Sequence, residues 1–439
     1  MRWLARAGAV LAGWLFLRRE LRADGRRTIV EWLLEDPAVL EAAEAYSREH
    51  GVPLSEAFRR AERYAWEISP SPDSGLYFRV GVPLAGLVVR FLYGNRLRSG
   101  GEENVPKAGG ETGVVFVINH RSNLDYVILG HLIGKKAALS FASGEWASFW
   151  PLGPLVRAMG SFFVRRGSGD ALHRRVLERF VQRGLEGGLT PAIFVEGGLS
   201  RDGRLHEPKT GLLDYALRRF DLAGERDPLF VPAAINYDWV LEDGSLRALG
   251  EPHPSGVRSV FSTLFFILRR IRLAQRSPDR LGHAAVRFGT PVSTRGWARS
   301  RNVDFRTLEP EARVGRVREF ALDLMESVGK LVPIVSVPIV ARVLLEASEE
   351  ALAREEILSR SWMLVSELER RGAWGCFEGD AAIEAALRIL VLRRMVVQQG
   401  DGYRTAPESV KLLRFYAASI SHFLPEESSK NDYSGSRID

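Results

Sequence analysis

The central part of the chain alternates short apolar runs with segments of helical spacing. Six runs have the length and the β-branched or aromatic content of strands. They are VVFVI at 114–118, AALSFA at 137–142, SFFV at 161–164, AIFV at 192–195, LFVPAAI at 229–235 and AAVRFG at 284–289. Segments such as ALHRRVLERFVQRGLEGG and TGLLDYALRRF lie between them and have helical periodicity. The alternation predicts an α/β fold with a mixed, mostly parallel sheet covered by helices.

Both flanks of this central part are patterned as helices. Residues 28–69 hold two amphipathic segments, and Pro53 opens the second one. On the C-terminal side, three helical segments precede VVQQGDGYRTA, in which Gly-Asp-Gly predicts a hairpin. The predicted regions are a helical N-terminal region at 1–95, an α/β domain at 96–295, a helical C-terminal domain at 296–425 and a polar, disordered tail at 426–439.

Three segments are apolar in part but lack the uninterrupted apolar run of ~20 residues that crosses a bilayer. They are residues 1–22, interrupted by Arg6, residues 80–94, and residues 257–276, where an apolar stripe runs beside five arginines. Each fits a helix that lies on an anionic membrane surface, and each also fits a helix packed on a core. We therefore expect peripheral or monotopic attachment at the cytoplasmic face of the cell membrane, with the lipid surface as a partner.

Composition narrows the classes of function. An apolar fraction of 46% supports a sizeable core, and the single cysteine, Cys376, excludes an intrachain disulfide framework and a cysteine metal site. The formal charge is +7, and only 7 of the 61 basic residues are lysine. Guanidinium groups pair bidentately with phosphate oxygens, so this charge fits a membrane, a nucleic acid or a phosphorylated substrate. A bias in genomic composition explains the arginine content equally well.

The candidate chemistry begins at NHRSNLDY, directly after the run VVFVI. His120 follows the predicted strand and Ser122 is a good N-cap, so the chain should turn and enter a helix over 124–132. Across such a turn the Asp125 carboxylate can accept a hydrogen bond from Nδ1–H of His120, which leaves Nε2 free as a general base. The spacing from Ser122 to Asp125 is also that of a capping box, in which Asp125 satisfies backbone N–H groups.

Further polar clusters follow three other predicted strands. GSFFVRRG places Arg165 and Arg166 after one strand, FVEGGLSRDGRLHEPKTG follows the next, and VPAAINY ends a third. Phosphate binding needs convergent cations and free backbone amides, which Gly197 and Gly198 make accessible. Because open α/β sheets bind ligands at the carboxyl ends of their strands, the series predicts a phosphate site there. The sequence has no G-x-S-x-G elbow, which favours direct attack of an activated hydroxyl on a thioester over a serine hydrolase.

Four sequence blocks, in this order, resemble those of the glycerolipid acyltransferases: NHRSNLDY, GSFFVRRG, FVEGGLSRDGRLHEPKTG and VPAAINY. They are most similar to those of the branch that acylates glycerol-3-phosphate and dihydroxyacetone phosphate, whose typical motifs read HRSHMDY and FVEGGRSRTGRL-PKTG. The resemblance implies transfer of a fatty acyl group from acyl-CoA or acyl carrier protein to the sn-1 hydroxyl of glycerol-3-phosphate, giving lysophosphatidate, with no metal or redox cofactor. Lysophosphatidate and dihydroxyacetone phosphate are the alternative acceptors.

The resemblance also implies a role for particular residues. His120 becomes the general base and Asp125 the group that orients it, while Pro232 shapes the acyl or donor groove. The implied ligands of the acceptor phosphate are Arg165, Glu196, Gly197, Ser200, Arg201 and Lys209. Leu199 stands where the branch commonly has arginine and Asn123 where histidine is frequent, and both departures bear on the choice of acceptor.

Two other classes of function are also compatible with the sequence. A non-catalytic basic protein that docks on anionic membranes fits residues 1–22 and 257–276, and its salt-sensitive lipid binding would be indifferent to His120. The C-terminal helices and hairpin fit a winged-helix-like unit, which binds nucleic acid in some proteins but more often only packs. We expect no nucleic-acid partner here.

Overall fold

The structure is a computed structural model. It describes residues 25–70, 77–106, 113–134, 136–143, 157, 160–165, 169–243, 269, 271–272, 279, 281–347 and 350–425. The segments predicted at 1–22 and 426–439, and nearly all of 257–276, lie outside the described residues.

A mixed sheet lies at the centre of the molecule. Its strands are β1 (Leu97–Gly100), β2 (Val114–Ile118), β3 (Leu139–Ser143), β4 (Phe162–Phe163), β5 (Thr190–Phe194), β6 (Leu229–Tyr237), β7 (Ala284–Phe288) and β8 (Val292–Ser293). The order is β1-β7-β6-β2-β5-β3-β4, and β8 pairs with β6. Neighbours from β6 to β4 are parallel, whereas β7 and β8 run antiparallel to β6. The predicted fold class is confirmed, and all six predicted strands lie in this sheet.

Strand β2 shows why its sequence is apolar at every position. Val114, Phe116 and Ile118 belong to the core on one face of the sheet, and Val115 and Val117 belong to the core on the other face. A parallel strand covered by helices on both faces has no solvent side, so the run is continuous rather than alternating.

Helices cover both faces of the sheet. They are α1 (Gly25–Leu34), α2 (Pro37–His50), α3 (Leu54–Ile68), α4 (Val82–Tyr93), α5 (Leu124–Ile133), α6 (Ala171–Glu186), α7 (Gly211–Leu217), α8 (Thr294–Ser300) and α9 (Pro310–Leu331). Residues of α4 and α5 join the core on the Phe116 face, and residues of α1–α3 and α6–α9 join the core on the Val115 face.

Residues 333–423 form a smaller unit, called here the C-terminal unit, on the Phe116 face. Its elements are β9 (Pro333–Ile334), α10 (Ser336–Glu346), β10 (Leu352–Ala353), α11 (Arg354–Arg370), β11 (Trp374–Gly375), α12 (Asp380–Leu392), β12 (Val396–Gln399), β13 (Gly402–Thr405) and α13 (Val410–Ala418). Strands β12 and β13 form the predicted hairpin, and β10 completes an antiparallel sheet in the order β10-β13-β12. This succession of helices and strands is winged-helix-like, as the sequence predicts.

The region predicted as an interfacial or core helix at 80–94 forms α4, which has one buried and one exposed apolar side. Val89 and Leu92 of α4 are buried in the core, while Leu84, Leu87 and Phe91 are exposed on the other side of the helix. In the part of the chain that the structure describes, no helix combines the length and the apolar character that crossing a bilayer requires.

Candidate active site

The carboxyl ends of β2, β5 and β6 lie side by side because these strands are parallel neighbours. Directly after β2, the side chain of Asn119 pairs with the main chain of β6. Its Nδ2 donates to the carbonyl of Ile235 at 3.0 Å, and its Oδ1 accepts from the N–H of Ile235 at 2.8 Å. The side-chain amide thereby extends the sheet pairing by one residue and fixes the point at which the chain leaves the sheet. His120 therefore lies at the carboxyl end of β2.

His120 and Asp125 are in contact across the turn between β2 and α5. Nδ1 of the histidine lies 2.8 Å from Oδ2 of the aspartate, and the two side chains are 5% and 0% exposed. An ionised carboxylate only accepts hydrogen bonds, so Nδ1 carries the proton. No described residue hydrogen-bonds Nε2 of His120, which leaves that nitrogen able to accept a proton.

Asp125 also caps the turn. Its Oδ2 accepts from the N–H of Arg121 at 2.8 Å and of Ser122 at 3.2 Å, and its Oδ1 accepts from the hydroxyl of Tyr237 at 2.5 Å. Burial, reinforced by the adjacent carboxylate, raises the pKa of Tyr237 well above its usual value, so the phenol remains a donor. The two alternatives left open by the sequence, dyad and cap, are thus present together, and they hold the carboxylate in one orientation.

Aromatic rings fix the plane of the imidazole. His120 stacks on Phe194 with ring centroids 3.9 Å apart, and Tyr126 meets it edge-on at 5.7 Å. Phe141 packs against Tyr126 at 4.9 Å. These rings shield the His120–Asp125 hydrogen bond from water, which strengthens its electrostatic part.

The loop that follows β5 is tied to the main chain of His120. The Glu196 carboxylate accepts from the N–H of His120 at 3.1 Å and of His206 at 3.0 Å, and the N–H of Ser200 donates to the carbonyl of His120 at 3.0 Å. The Ser200 hydroxyl accepts from the N–H of Gly203 within the loop at 3.1 Å. Burial raises the pKa of Glu196. The structure therefore brings Glu196 and Ser200 to the histidine with their polar atoms bound by protein groups.

A cleft of about 430 Å³ opens beside this loop. It is lined by Glu196, Gly197, Gly198, Leu199, His206, Glu207 and Lys209. Gly197 has φ +74°, and a Cβ there would lie 2.8 Å from Cγ of Lys209, so glycine leaves room for the lysine. The exposed side chains of Arg201, Arg204 and Lys209 have no hydrogen-bond or ion-pair partner among the described residues, which leaves three cations available at this loop.

Arg165 lies apart from these groups. It follows β4, which is separated from β2 by β5 and β3 in the sheet. Its Nε and Nη2 bind the carboxylate of Glu67 from α3 at 2.6 and 2.5 Å. Its role as a phosphate ligand stays a prediction, and Arg166 lies outside the described residues.

Pro232 lies within β6, opposite Val117 of β2. On its other side, β8 pairs with Leu229 and Phe230, whereas the pairing with β7 begins at Ala233. The proline falls in the interval between these two partners, where its missing N–H removes no hydrogen bond from either pairing. It is buried within the sheet, before the end that carries the dyad.

Glu242 and Arg121 are among the residues at the site that had no predicted role. Glu242 accepts from the Ser122 hydroxyl at 2.8 Å and from the N–H of Asn123 at 2.9 Å, and burial raises its pKa. Arg121 is buried and donates to the carbonyl of Gly203; burial lowers its pKa. The sequence could have indicated a site role for Arg121 because it directly follows the histidine. No feature of the sequence indicates such a role for Glu242, which lies 120 residues from Ser122.

Family comparisons match two parts of the chain. Residues 96–236 match the acyltransferase family, and residues 264–429 match the glycerol-3-phosphate acyltransferase C-terminal region. The first match contains every predicted site residue, and the second contains the C-terminal unit.

Curated relatives with similarity over most of the chain are glycerol-3-phosphate acyltransferases. The protein from Haemophilus ducreyi is 25% identical over 422 residues, which are 91% of this chain and 50% of the relative. The protein from Aeromonas hydrophila is 28% identical over 355 residues, 78% of this chain and 43% of the relative. The chain thus spans about half the length of the curated relatives it matches.

Among solved structures, the chain matches the 1-acyl-sn-glycerophosphate acyltransferase PlsC from Thermotoga maritima. The identity is 16% and the TM-score 0.31, over 75% of this chain and 92% of that chain. The two family matches and the curated relatives confirm the resemblance carried by the four sequence blocks. The chain is therefore similar, over residues 96–236 and 264–429, to the glycerol-3-phosphate acyltransferase branch of the acyltransferase family.

Proposed function

We propose that the protein transfers a fatty acyl group from a thioester, acyl-CoA or acyl carrier protein, to the sn-1 hydroxyl of glycerol-3-phosphate. The observation that carries this proposal is the hydrogen bond from Nδ1 of His120 to Asp125, which leaves Nε2 free beside a loop that holds Arg201 and Lys209. The relatives' name supports the choice of acceptor.

The dyad supplies the proton transfers of this reaction. Nε2 of His120 takes the proton of the acceptor hydroxyl while the oxygen attacks the thioester carbonyl. The Asp125 carboxylate stabilises the imidazolium that forms. When the tetrahedral intermediate collapses, the C–S bond breaks and the imidazolium returns the proton to the departing thiolate. The products are the acyl ester and the free thiol, and His120 ends in its starting state.

The loop after β5 supplies the site for the acceptor's phosphate. Arg201, Arg204 and Lys209 are cations without described partners, and a guanidinium matches the geometry of a phosphate. The loop's main chain is anchored at His120 through Ser200, so a phosphate held on the loop keeps the attached alcohol close to Nε2. Such positioning replaces a bimolecular encounter with an oriented one.

The test is a thiol-release assay with purified protein, palmitoyl-CoA or palmitoyl carrier protein, and three acceptors. We expect release that depends on glycerol-3-phosphate, with less from dihydroxyacetone phosphate or lysophosphatidate. His120→Ala should lower the rate by about 10²–10⁴-fold. His50→Ala, an exposed histidine at the end of α2, is the control and should keep the rate. Absence of thiol release with all three acceptors and both donors would refute the proposal.

We also propose that α4 attaches the enzyme to the cytoplasmic face of the cell membrane. In α4, Leu84, Leu87 and Phe91 are 51% to 66% exposed, and their spacing of three and four residues places them on one side of the helix. Val80, two residues before α4, is 48% exposed. Exposed Arg90 adds attraction to anionic headgroups. A helix of this kind lies in the interface, where the acyl product is released into lipid.

Flotation with vesicles that contain phosphatidylglycerol tests this attachment. Leu87→Glu should reduce binding, whereas Met363→Glu, at an exposed apolar position on α11, should not. Equal binding of both variants and the unaltered protein would exclude α4 as the lipid contact.

A further inference from the structure

The residues that follow β6 connect the active-site turn to the C-terminal unit. We call residues 238–243 the β6 extension. Along it, successive polar groups contact different partners: Asp238 accepts from Ser336 and from the N–H of Val337 at the start of α10, whereas Glu242 faces the turn after β2. A short, buried segment is thus bound on both sides.

Asp243 anchors the β6 extension to the C-terminal unit. Its carboxylate binds Arg393, directly after α12, and the hydroxyl of Tyr416 in α13. Arg393 also donates to that hydroxyl at 2.9 Å, and the N–H of Val240 does so at 3.1 Å. The side chains of Arg393 and Asp243 are 1% and 0% exposed. Because removing one partner of a buried pair leaves an uncompensated charge, this anchor resists displacement.

On the other side, Glu242 completes the hydrogen bonding of the turn at residues 121–124. The N–H groups of Arg121 and Ser122 donate to Asp125, and that of Leu124 donates to the Ser122 hydroxyl at 3.1 Å. The N–H between them, that of Asn123, donates to Glu242, as does the Ser122 hydroxyl. Every N–H of the turn therefore has a side-chain acceptor, and Glu242 is the acceptor that comes from a distant part of the chain.

We propose that Glu242 is a positioning residue for acyl transfer. It holds the turn in the conformation in which Asp125 faces His120, and its own place is set by the C-terminal unit through Asp243. The C-terminal unit thereby acts on the reaction although the groups that react lie in the α/β domain. This inference rests on the proposed acyl transfer.

Steady-state kinetics of Glu242→Ala test the proposal. Loss of two hydrogen bonds to a carboxylate should lower kcat by about 10- to 100-fold, and KM for glycerol-3-phosphate should stay within about twofold because the loop cations are untouched. Glu242→Gln keeps an oxygen for Asn123 and should recover most of the rate. The matched control is Glu178→Ala, a buried carboxylate on α6 that binds Arg175 and Arg218. It should lower the melting temperature and leave kcat unchanged.

A double-mutant cycle tests the link to the C-terminal unit. Tyr416→Phe removes a hydroxyl that contacts Asp243 and should lower kcat in an otherwise unaltered protein. If it acts through Glu242, it should lower kcat no further when added to Glu242→Ala. Multiplicative losses in the double variant would overturn the link.

Amide hydrogen exchange separates this inference from the proposed function because it requires no turnover. Exchange at Asn123 and Leu124 should be faster in Glu242→Ala than in Glu178→Ala, relative to amides of the central sheet. Unchanged exchange at the turn, or an unchanged kcat in an active enzyme, would overturn the role of Glu242. A protein that acylates no acceptor would refute the function alone, and the exchange result would still decide whether Glu242 holds the turn.

Discussion

Replacing Asp125 by asparagine separates the charge of the dyad from its hydrogen bonds. The amide oxygen can take the place of Oδ2 and accept from Nδ1 of His120 and from the N–H groups of Arg121 and Ser122. The amide NH2 then faces the Tyr237 hydroxyl, which can turn and accept. We therefore expect Asp125→Asn to fold and to keep the imidazole in place, while it lacks the negative charge.

The structure gives the size of the expected loss. In the proposed reaction the general base becomes an imidazolium in the transition state, and the carboxylate lies in contact with it in a site from which solvent is almost excluded. Two unit charges about 4 Å apart at an effective dielectric constant of about 20 attract by about 4 kcal/mol. Since about 1.4 kcal/mol corresponds to tenfold, kcat should fall by about 10³-fold.

The assay is thiol release at saturating acceptor, together with KM for glycerol-3-phosphate and a thermal melt. We expect the loss in kcat with little change in KM, because the cations of the loop are not altered. Tyr237→Phe is the comparison: it removes one hydrogen bond to the same carboxylate and keeps the charge, so its loss should be about tenfold. Asp125→Ala is less informative because it leaves two buried N–H groups without an acceptor.

This role of the Asp125 charge is refuted if well-folded Asp125→Asn retains kcat within tenfold of the unaltered protein. It is refuted as well if Asp125→Asn and Tyr237→Phe lose the same factor, since the charge would then contribute nothing beyond one hydrogen bond.

Three further perturbations address the phosphate site, the packing of the loop and the titration of the turn. Arg201→Ala and Lys209→Ala should each raise KM for glycerol-3-phosphate by about tenfold with little change in kcat, and rising salt should shrink the difference from the unaltered enzyme. Gly203→Ala should destabilise the fold by at least about 1–3 kcal/mol in a denaturant titration, because φ is +84° and a Cβ would overlap the carbonyl oxygen of Phe415. Burial raises the pKa of Glu242 above 4.5, so ionisation costs stability: melting temperatures measured from pH 4 to 7 should fall in the unaltered protein relative to Glu242→Gln as the pH rises.

The local parts of this protein follow from its sequence. The run VVFVI predicts β2 at its observed bounds because a strand buried on both faces must be apolar throughout. The contact between His120 and Asp125 is also local: five residues, a strand end and a helix start bring the two side chains together wherever the sheet lies. The resemblance of the four blocks pointed to the same pair.

The surroundings of the pair were decided by the tertiary structure. Tyr237 reaches Asp125 across 112 residues because β6 lies beside β2, and Glu242 reaches the turn because the chain beyond β6 is held by Arg393 of the C-terminal unit. Likewise, the family resemblance implies that Arg165 is a phosphate ligand, and only the tertiary structure shows that its guanidinium binds Glu67 of α3. The pattern of a sequence predicts the secondary structure of each segment and its contacts with residues nearby in the chain. Which distant carboxylate or phenol completes a buried hydrogen-bond network depends on strand order and helix docking, and only the assembled fold sets these.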